Sequence, residues 1–257
     1  MKQSENTILN EQCWENLKIS NDFIFAKVMQ NPKLCKGMLE RLLNIQIDHI
    51  EYPEEQKIIS IAKDSKGVRI EVYLNAEEGA IYNIELQTTN SKNLPKRTRI
   101  IDLNTIEKWA SYCELQSFAI FICTFDAFGK DLWKYTFKNI CKDDPDLSLN
   151  DGTTKIFFNT TGTKGNISQE AKSILRFIEN NTTEDDFTEK LAQEVKRVKE
   201  NKEWKIEYMT LLEGEIQGTV KTYEESGLSF TETVEHIARK FGFSLQEAEE
   251  TVSKHWD

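Results

Sequence analysis

The sequence predicts an α/β fold: a mixed β-sheet flanked by helices, followed by an all-helical C-terminal region. Three observations predict it. From Val68 to Leu74 and from Tyr82 to Gln87, apolar and polar residues alternate with the period of two that a half-buried strand requires. Ser117 to Thr124 is almost wholly apolar apart from its ends, the pattern of a central strand covered on both faces. Beyond Ser168 the strand signals stop and helix-start signals take over. The 257 residues suffice for a well-buried core and more than one folding unit, divided by this pattern into a sheet domain over 1–165 and a helical region over 166–257.

Taken in order, a polar leader gives way at Ser20-Asn21-Asp22 to a capped helix start with an apolar stripe of Phe23, Phe25, Val28 and Met29. Asn31-Pro32 interrupts it, and Pro32 suits the first turn of a second helix whose Leu34, Met38, Leu39, Leu42 and Leu43 keep helical spacing. Lys57 to Ala62 reads as a first strand, and Asp64-Ser65-Lys66-Gly67 turns into the ribbon formed by the two alternating stretches. The five residues Asn75 to Gly79 make a plausible hairpin loop. After the ribbon, the densest basic cluster of the chain, ending Lys96-Arg97-Thr98-Arg99, opens a helix carrying Ile100, Leu103, Ile106, Trp109 and Cys113. Leu132 to Phe137 and Lys155 to Thr160 complete the sheet, separated by the acidic loop 142–150 and the turn Asp151-Gly152. In the tail, Ser229 with Glu232 and Ser244 with Glu247 match the capping box, and Gly214 and Gly218, four apart, could permit close helix packing. Two short capped helices resemble a helix-turn-helix, but the glutamate-rich segment after Thr210 favours a solvated or subunit-packing role, with a homodimer through these helices as one outcome.

If the ribbon closes without a bulge, odd-numbered residues of both strands share a face, and Glu71, Asn83, Glu85 and Gln87 converge there. Apposed carboxylates repel by up to roughly 1 kcal/mol, so the pair Glu71 and Glu85 points to a cation between them, against the plainer reading of a solvent-facing strand pair. Asp22 is either a distal acid for the same cation or a simple helix cap. Lys96, Arg97 and Arg99 crowd a helix N-terminus, where positive charge opposes the helix dipole, which favours contact with DNA phosphates over plain solvation. His49, His236 and His255 have no metal-ligand spacing. A net charge of −10 argues against wholesale polyanion binding, so any nucleic-acid contact is expected to be local. Five cysteines without a Cys-x-x-Cys spacing, no apolar leader and no run of eighteen apolar residues lead to the expectation of a soluble cytoplasmic protein with no membrane partner.

This order of helices, strands and acids resembles the core of the PD-(D/E)XK nuclease superfamily, and within it the nuclease-family transposases called recombination-promoting nucleases, or Rpn proteins. The matching pieces are Asn21-Asp22-Phe23-Ile24-Phe25, Tyr82-Asn83-Ile84-Glu85-Leu86-Gln87, Leu94-Pro95-Lys96-Arg97-Thr98-Arg99, Phe121-Ile122-Cys123-Thr124-Phe125-Asp126, Tyr135-Thr136-Phe137 and Asp151-Gly152-Thr153-Thr154-Lys155-Ile156-Phe157. They come in family order over about residues 20 to 162, and they are specific jointly rather than singly. The resemblance implies a restriction-endonuclease-like sheet and metal-dependent hydrolysis of DNA phosphodiester bonds, linked to recombination or a mobile element. Mg²⁺ or Mn²⁺ would be the cofactor and DNA the partner. It implies Glu71 and Glu85 as ligands, with Asp22 as a further candidate, and puts Gln87 where the wider superfamily has lysine. Glu71 stands where the family usually has aspartate, and Ile100-Ile101 where members often carry tyrosines. These departures define a competing expectation, a catalytically degenerate nuclease-fold protein acting as a DNA-binding or protein-interaction module.

Overall fold

The computed structural model describes residues 14–47, 50, 60–61, 68–74, 80–90, 92–98 and 116–256, with the backbone alone at 60–61, 68–74 and 80–81. Its elements are α1 (Asp22–Met29), α2 (Pro32–Leu43), β1 (Ser60–Ile61), β2 (Val68–Leu74), β3 (Ala80–Gln87), β4 (Gln116–Cys123), β5 (Lys134–Phe137), β6 (Thr153–Asn159), α3 (Gln169–Asn180), α4 (Asp186–Glu200), α5 (Lys202–Glu225), α6 (Phe230–Phe241) and α7 (Leu245–Val252). The predicted helix after the basic cluster is described only for its opening turn, 94–98, and Arg99 and Cys113 lie outside the described residues.

The chain divides into two compact units, one spanning Glu15–Glu200 and the other described at Trp14 and 201–256. The helical region expected from residue 166 is thereby shared between them. α4 packs on α1, and α3 on α2. A small residue makes room for a further contact, between α2 and α4. A Cβ on Gly37 would lie 2.6 Å from Cε2 of Phe187, and the Arg41 guanidinium covers the same ring at 4.0 Å.

In the first unit, Asn21 caps α1, its Oδ1 accepting from the amides of Phe23 and Ile24 at 3.1 and 3.2 Å. Asp22 is the first helical residue rather than the cap. Asn31 caps α2 with Pro32 in its first turn, as the sequence predicts, and Asn44 ends it in the left-handed conformation.

The six strands form one mixed sheet in the order β1-β2-β3-β4-β6-β5. β3, β4 and β6 run parallel, while β1, β2 and β5 pair antiparallel at the flanks. β4 suits a central place because every residue from Phe118 to Cys123 is apolar, so both of its faces there can be buried without stranding a polar side chain. On one face Ile84, Leu86, Ile120, Ile122 and Phe158 are buried, and Tyr82 stacks on Phe118 with ring centroids 4.6 Å apart. On the other, Ala119, Phe121, Cys123, Tyr135 and Phe157 form a cluster closed by Leu94 from the helical turn.

Two loop features hold the flank with β5. Asp126 accepts from the Phe128 amide at 3.0 Å, the Asp131 amide at 2.7 Å and the Tyr135 hydroxyl at 2.7 Å. Burial alone would raise its carboxyl, but these hydrogen bonds outweigh it and hold the group down to about 2, below the ordinary 3.8. Because the folded value is the lower one, the stabilisation is present above about pH 4 and fades as the pH falls toward 2. Asp126→Asn should therefore flatten the acid limb of stability over that window in urea unfolding; an acid limb identical to wild type would contradict it. Gly162 is the second feature. A Cβ there would lie 2.7 Å from Cα and 2.8 Å from N of Trp133, backbone atoms that cannot swing away. Gly162→Ala should cost about 1–3 kcal/mol, measured by the same unfolding.

In the second unit, Asn201 caps α5, and both predicted capping boxes are formed, by Ser229 with Glu232 and by Ser244 with Glu247. Ile216, Val220, Val234, Ile237, Ala238, Ala248 and Val252 make its core. Nothing among the described residues lies within 4 Å of a Cβ placed on Gly214 or Gly218, so the close packing expected there is absent from them. No described helix is long and apolar enough to cross a membrane.

Candidate functional site

The site lies at the carboxyl end of β3, the edge at which open α/β sheets tend to bind ligands. The β2–β3 register pairs Arg69 with Glu85 and Glu71 with Asn83, odd residues with odd, as the sequence predicts for an unbulged ribbon. The side chain of Glu71 lies outside the described residues. On β3, Asn83, Glu85 and Gln87 are all buried, Glu85 to 5% exposure and Gln87 to 1%. Burying a carboxylate is costly unless it is paired and hydrogen-bonded.

Arg97 supplies that pairing. It projects from the turn 94–98, whose Leu94 is anchored in the apolar cluster and whose Thr98 is buried with its hydroxyl donating to the Pro95 carbonyl at 3.0 Å. From there Nη2 donates to Glu85 Oε1 at 2.8 Å and Nη1 donates to Gln87 Oε1 at 3.0 Å. One planar fork thus spans both functional positions of β3. Its side chain is 19% exposed, so the ion pair is largely withdrawn from water. The sequence expectation set Arg97 on DNA phosphates; in this structure its guanidinium pairs with Glu85 and Gln87. Lys96 remains exposed, and Arg99 lies outside the described residues.

Two neighbours complete the edge. In register, Gln87 lies beside Cys123, and Cys123 beside Asn159, at the ends of the three parallel strands. Burial pushes the Cys123 thiol up to about 12, and the charges of Glu85 and Asp126 add to the rise, so it stays protonated. Asn159 Oδ1 accepts from the amide and hydroxyl of Thr161, at 3.0 and 2.8 Å. Sequence reasoning missed Asn159, whose only signal was a polar residue ending an apolar strand.

The divalent ion that the resemblance implies requires several oxygen donors. Here Glu85 Oε1 is engaged by a guanidinium, and no three of His, Cys, Asp and Glu converge among the described residues. Asp22, at the start of α1, makes no such cluster with Glu85 among them. Of the expected pair Glu71 and Glu85, the side chain of Glu85 alone is described, and Arg97 holds its Oε1. Compared with known protein families, with curated proteins and with solved structures, the chain gives no match.

Proposed function

We propose that the chain is a nuclease-fold protein of the PD-(D/E)XK type, similar to the recombination-promoting nucleases, that hydrolyses phosphodiester bonds in DNA with Mg²⁺ or Mn²⁺ as cofactor. One observation carries this reading. A buried carboxylate and carboxamide, two residues apart at the carboxyl end of a strand, are bridged by an arginine from the next helical turn. A buried acid bound to a basic residue at the carboxyl end of a sheet strand is poorly explained as a solvated strand face, and as pure scaffolding it would be no more stabilising than apolar packing. In this reading Glu85 and Glu71 supply negative charge, Gln87 orients an oxygen, and exposed Lys96 together with Arg99 meets the DNA backbone.

The second reading, a catalytically degenerate relative that binds DNA or protein, is favoured by the same arginine. Its guanidinium occupies the carboxylate oxygen a metal would need. Plasmid nicking separates the two: wild type should convert supercoiled DNA in Mg²⁺ or Mn²⁺ and remain inert in chelator. Cutting that is absent in wild type but appears in Glu71→Asp would establish the degenerate reading. Metal binding followed by calorimetry, and unaffected by Glu85→Ala, would remove Glu85 from the site.

A further inference from the structure

α5 is the longest described helix, yet only Ile216 and Val220 of its 24 residues are buried. A surface helix ordinarily sinks an apolar stripe along its whole length, so α5 is short of partners within its own chain. Spacing defines its open face. Glu207, Leu211, Gly214, Gly218 and Lys221 recur at intervals of four, three, four and three, the heptad seam along which two helices pack, and all five are exposed. Leu211 leaves 43% of its surface in water. Among the described residues nothing lies within 4 Å of a Cβ placed on either glycine. Glycine is a poor helix former, and these two stand in the middle of α5 with no close neighbour in their own chain to account for them. The space they leave suits a second helix, because the distance between two packed axes is set by the side chains at the contact.

We propose that this face docks on the same face of a second copy of the chain, the two α5 helices running antiparallel about a two-fold axis at Gly214. Charge selects both the occupant and the direction. Glu207 and Lys221 lie seven residues to either side of Gly214. An antiparallel pair centred there sets Glu207 against Lys221 of the partner subunit and Leu211 over the notch at Gly218 of the partner subunit. A parallel pair would set each of these charges against its own kind. The face is thus its own complement, as a two-fold contact between identical chains requires. Within one chain the two charges cannot meet, because fourteen residues of helix separate them by about 21 Å. This contact is independent of the nuclease reading, since it involves no residue of the sheet unit.

Sedimentation equilibrium of the full chain over a concentration series should show a reversible monomer–dimer equilibrium. Glu207→Lys and Lys221→Glu each turn two symmetry-related attractions into repulsions, so each should weaken the dimer about 10-fold or more. The double variant carrying both reversals should recover the wild-type dissociation constant to within about threefold. Because the two charges are out of reach of each other within one chain, that recovery reports contact between copies. Gly214→Leu should also dissociate the dimer, by placing a bulky side chain on the axis. Its helix content by circular dichroism should hold or rise, since leucine favours helix over glycine, so loss of the dimer is separated from loss of the fold. A wild type that stays monomeric up to its solubility limit would overturn the proposal. So would a dimer indifferent to either charge reversal, which would put the interface elsewhere, or a dimer weakened by both reversals and not restored when they are combined.

Discussion

Arg97→Ala is expected to lower the unfolding free energy by about 3–5 kcal/mol, the cost of breaking a buried ion pair by removing one partner. The reason is the position of Glu85. At 5% exposure its carboxylate cannot recover in water the hydrogen bond that Arg97 Nη2 supplies at 2.8 Å. The same truncation takes the bond from Gln87 Oε1, so two buried acceptors lose their donor together. Lys96→Ala, one residue earlier on an exposed side chain, serves as the control and should stay within about 0.5 kcal/mol of wild type. Urea unfolding measures both. A loss below about 1 kcal/mol in Arg97→Ala, in the range of surface ion pairs, would mean that Glu85 is hydrated in solution.

Glu85→Gln should have its largest effect on chemistry rather than on stability. The substitution keeps the shape of the side chain and an oxygen that can still accept from Arg97, but it removes the negative charge. Arg97 is 19% exposed, so its charge can be partly hydrated once Glu85 is neutral, and the loss of stability should be smaller than in Arg97→Ala. On the nuclease reading, DNA cleavage should fall by about 100-fold or more, because a positioned carboxylate contributes on that scale. DNA affinity should hold or rise, since a negative charge near the phosphates is gone. Cleavage at the wild-type rate in Glu85→Gln would exclude this carboxylate from the chemistry.

Much of the sheet was legible because its signals are local. The alternation in β3 and the apolar run of β4 report how many faces of each strand are covered, and Asn31-Pro32, Ser229 and Ser244 carry their capping chemistry in their own side chains. The polar residues that end β3 were legible in the sequence, but not the pairing that holds them. A run of Lys96, Arg97 and Arg99 reads the same whether its guanidinium groups meet DNA, water or an acid. What selects Glu85 and Gln87 as the partners of Arg97 is the anchoring of Leu94 in the apolar cluster, a tertiary contact with no periodic signature. The assignment of α3 and α4 to the sheet unit was hidden for a similar reason. Their composition is that of the helices after them, and what ties them to the sheet unit is packing, of α3 on α2 and of α4 on α1, with Phe187 of α4 set against Gly37 and Arg41.

The parallel centre of the sheet also bears on how the chain reaches its native state. β2 and β3 are neighbours in sequence and in space, so their ribbon can close early, whereas β4 must be brought to β3, and β6 to β4, across long intervening segments. The row Gln87, Cys123 and Asn159 is assembled only when the last of these pairings is made. The second unit, held by contacts among consecutive helices, bears no such loop-closure cost. Loop-closure cost therefore favours closing the ribbon that carries Glu85 before the edge beside it, and without β4 one side of β3 would be an open strand edge able to recruit another chain.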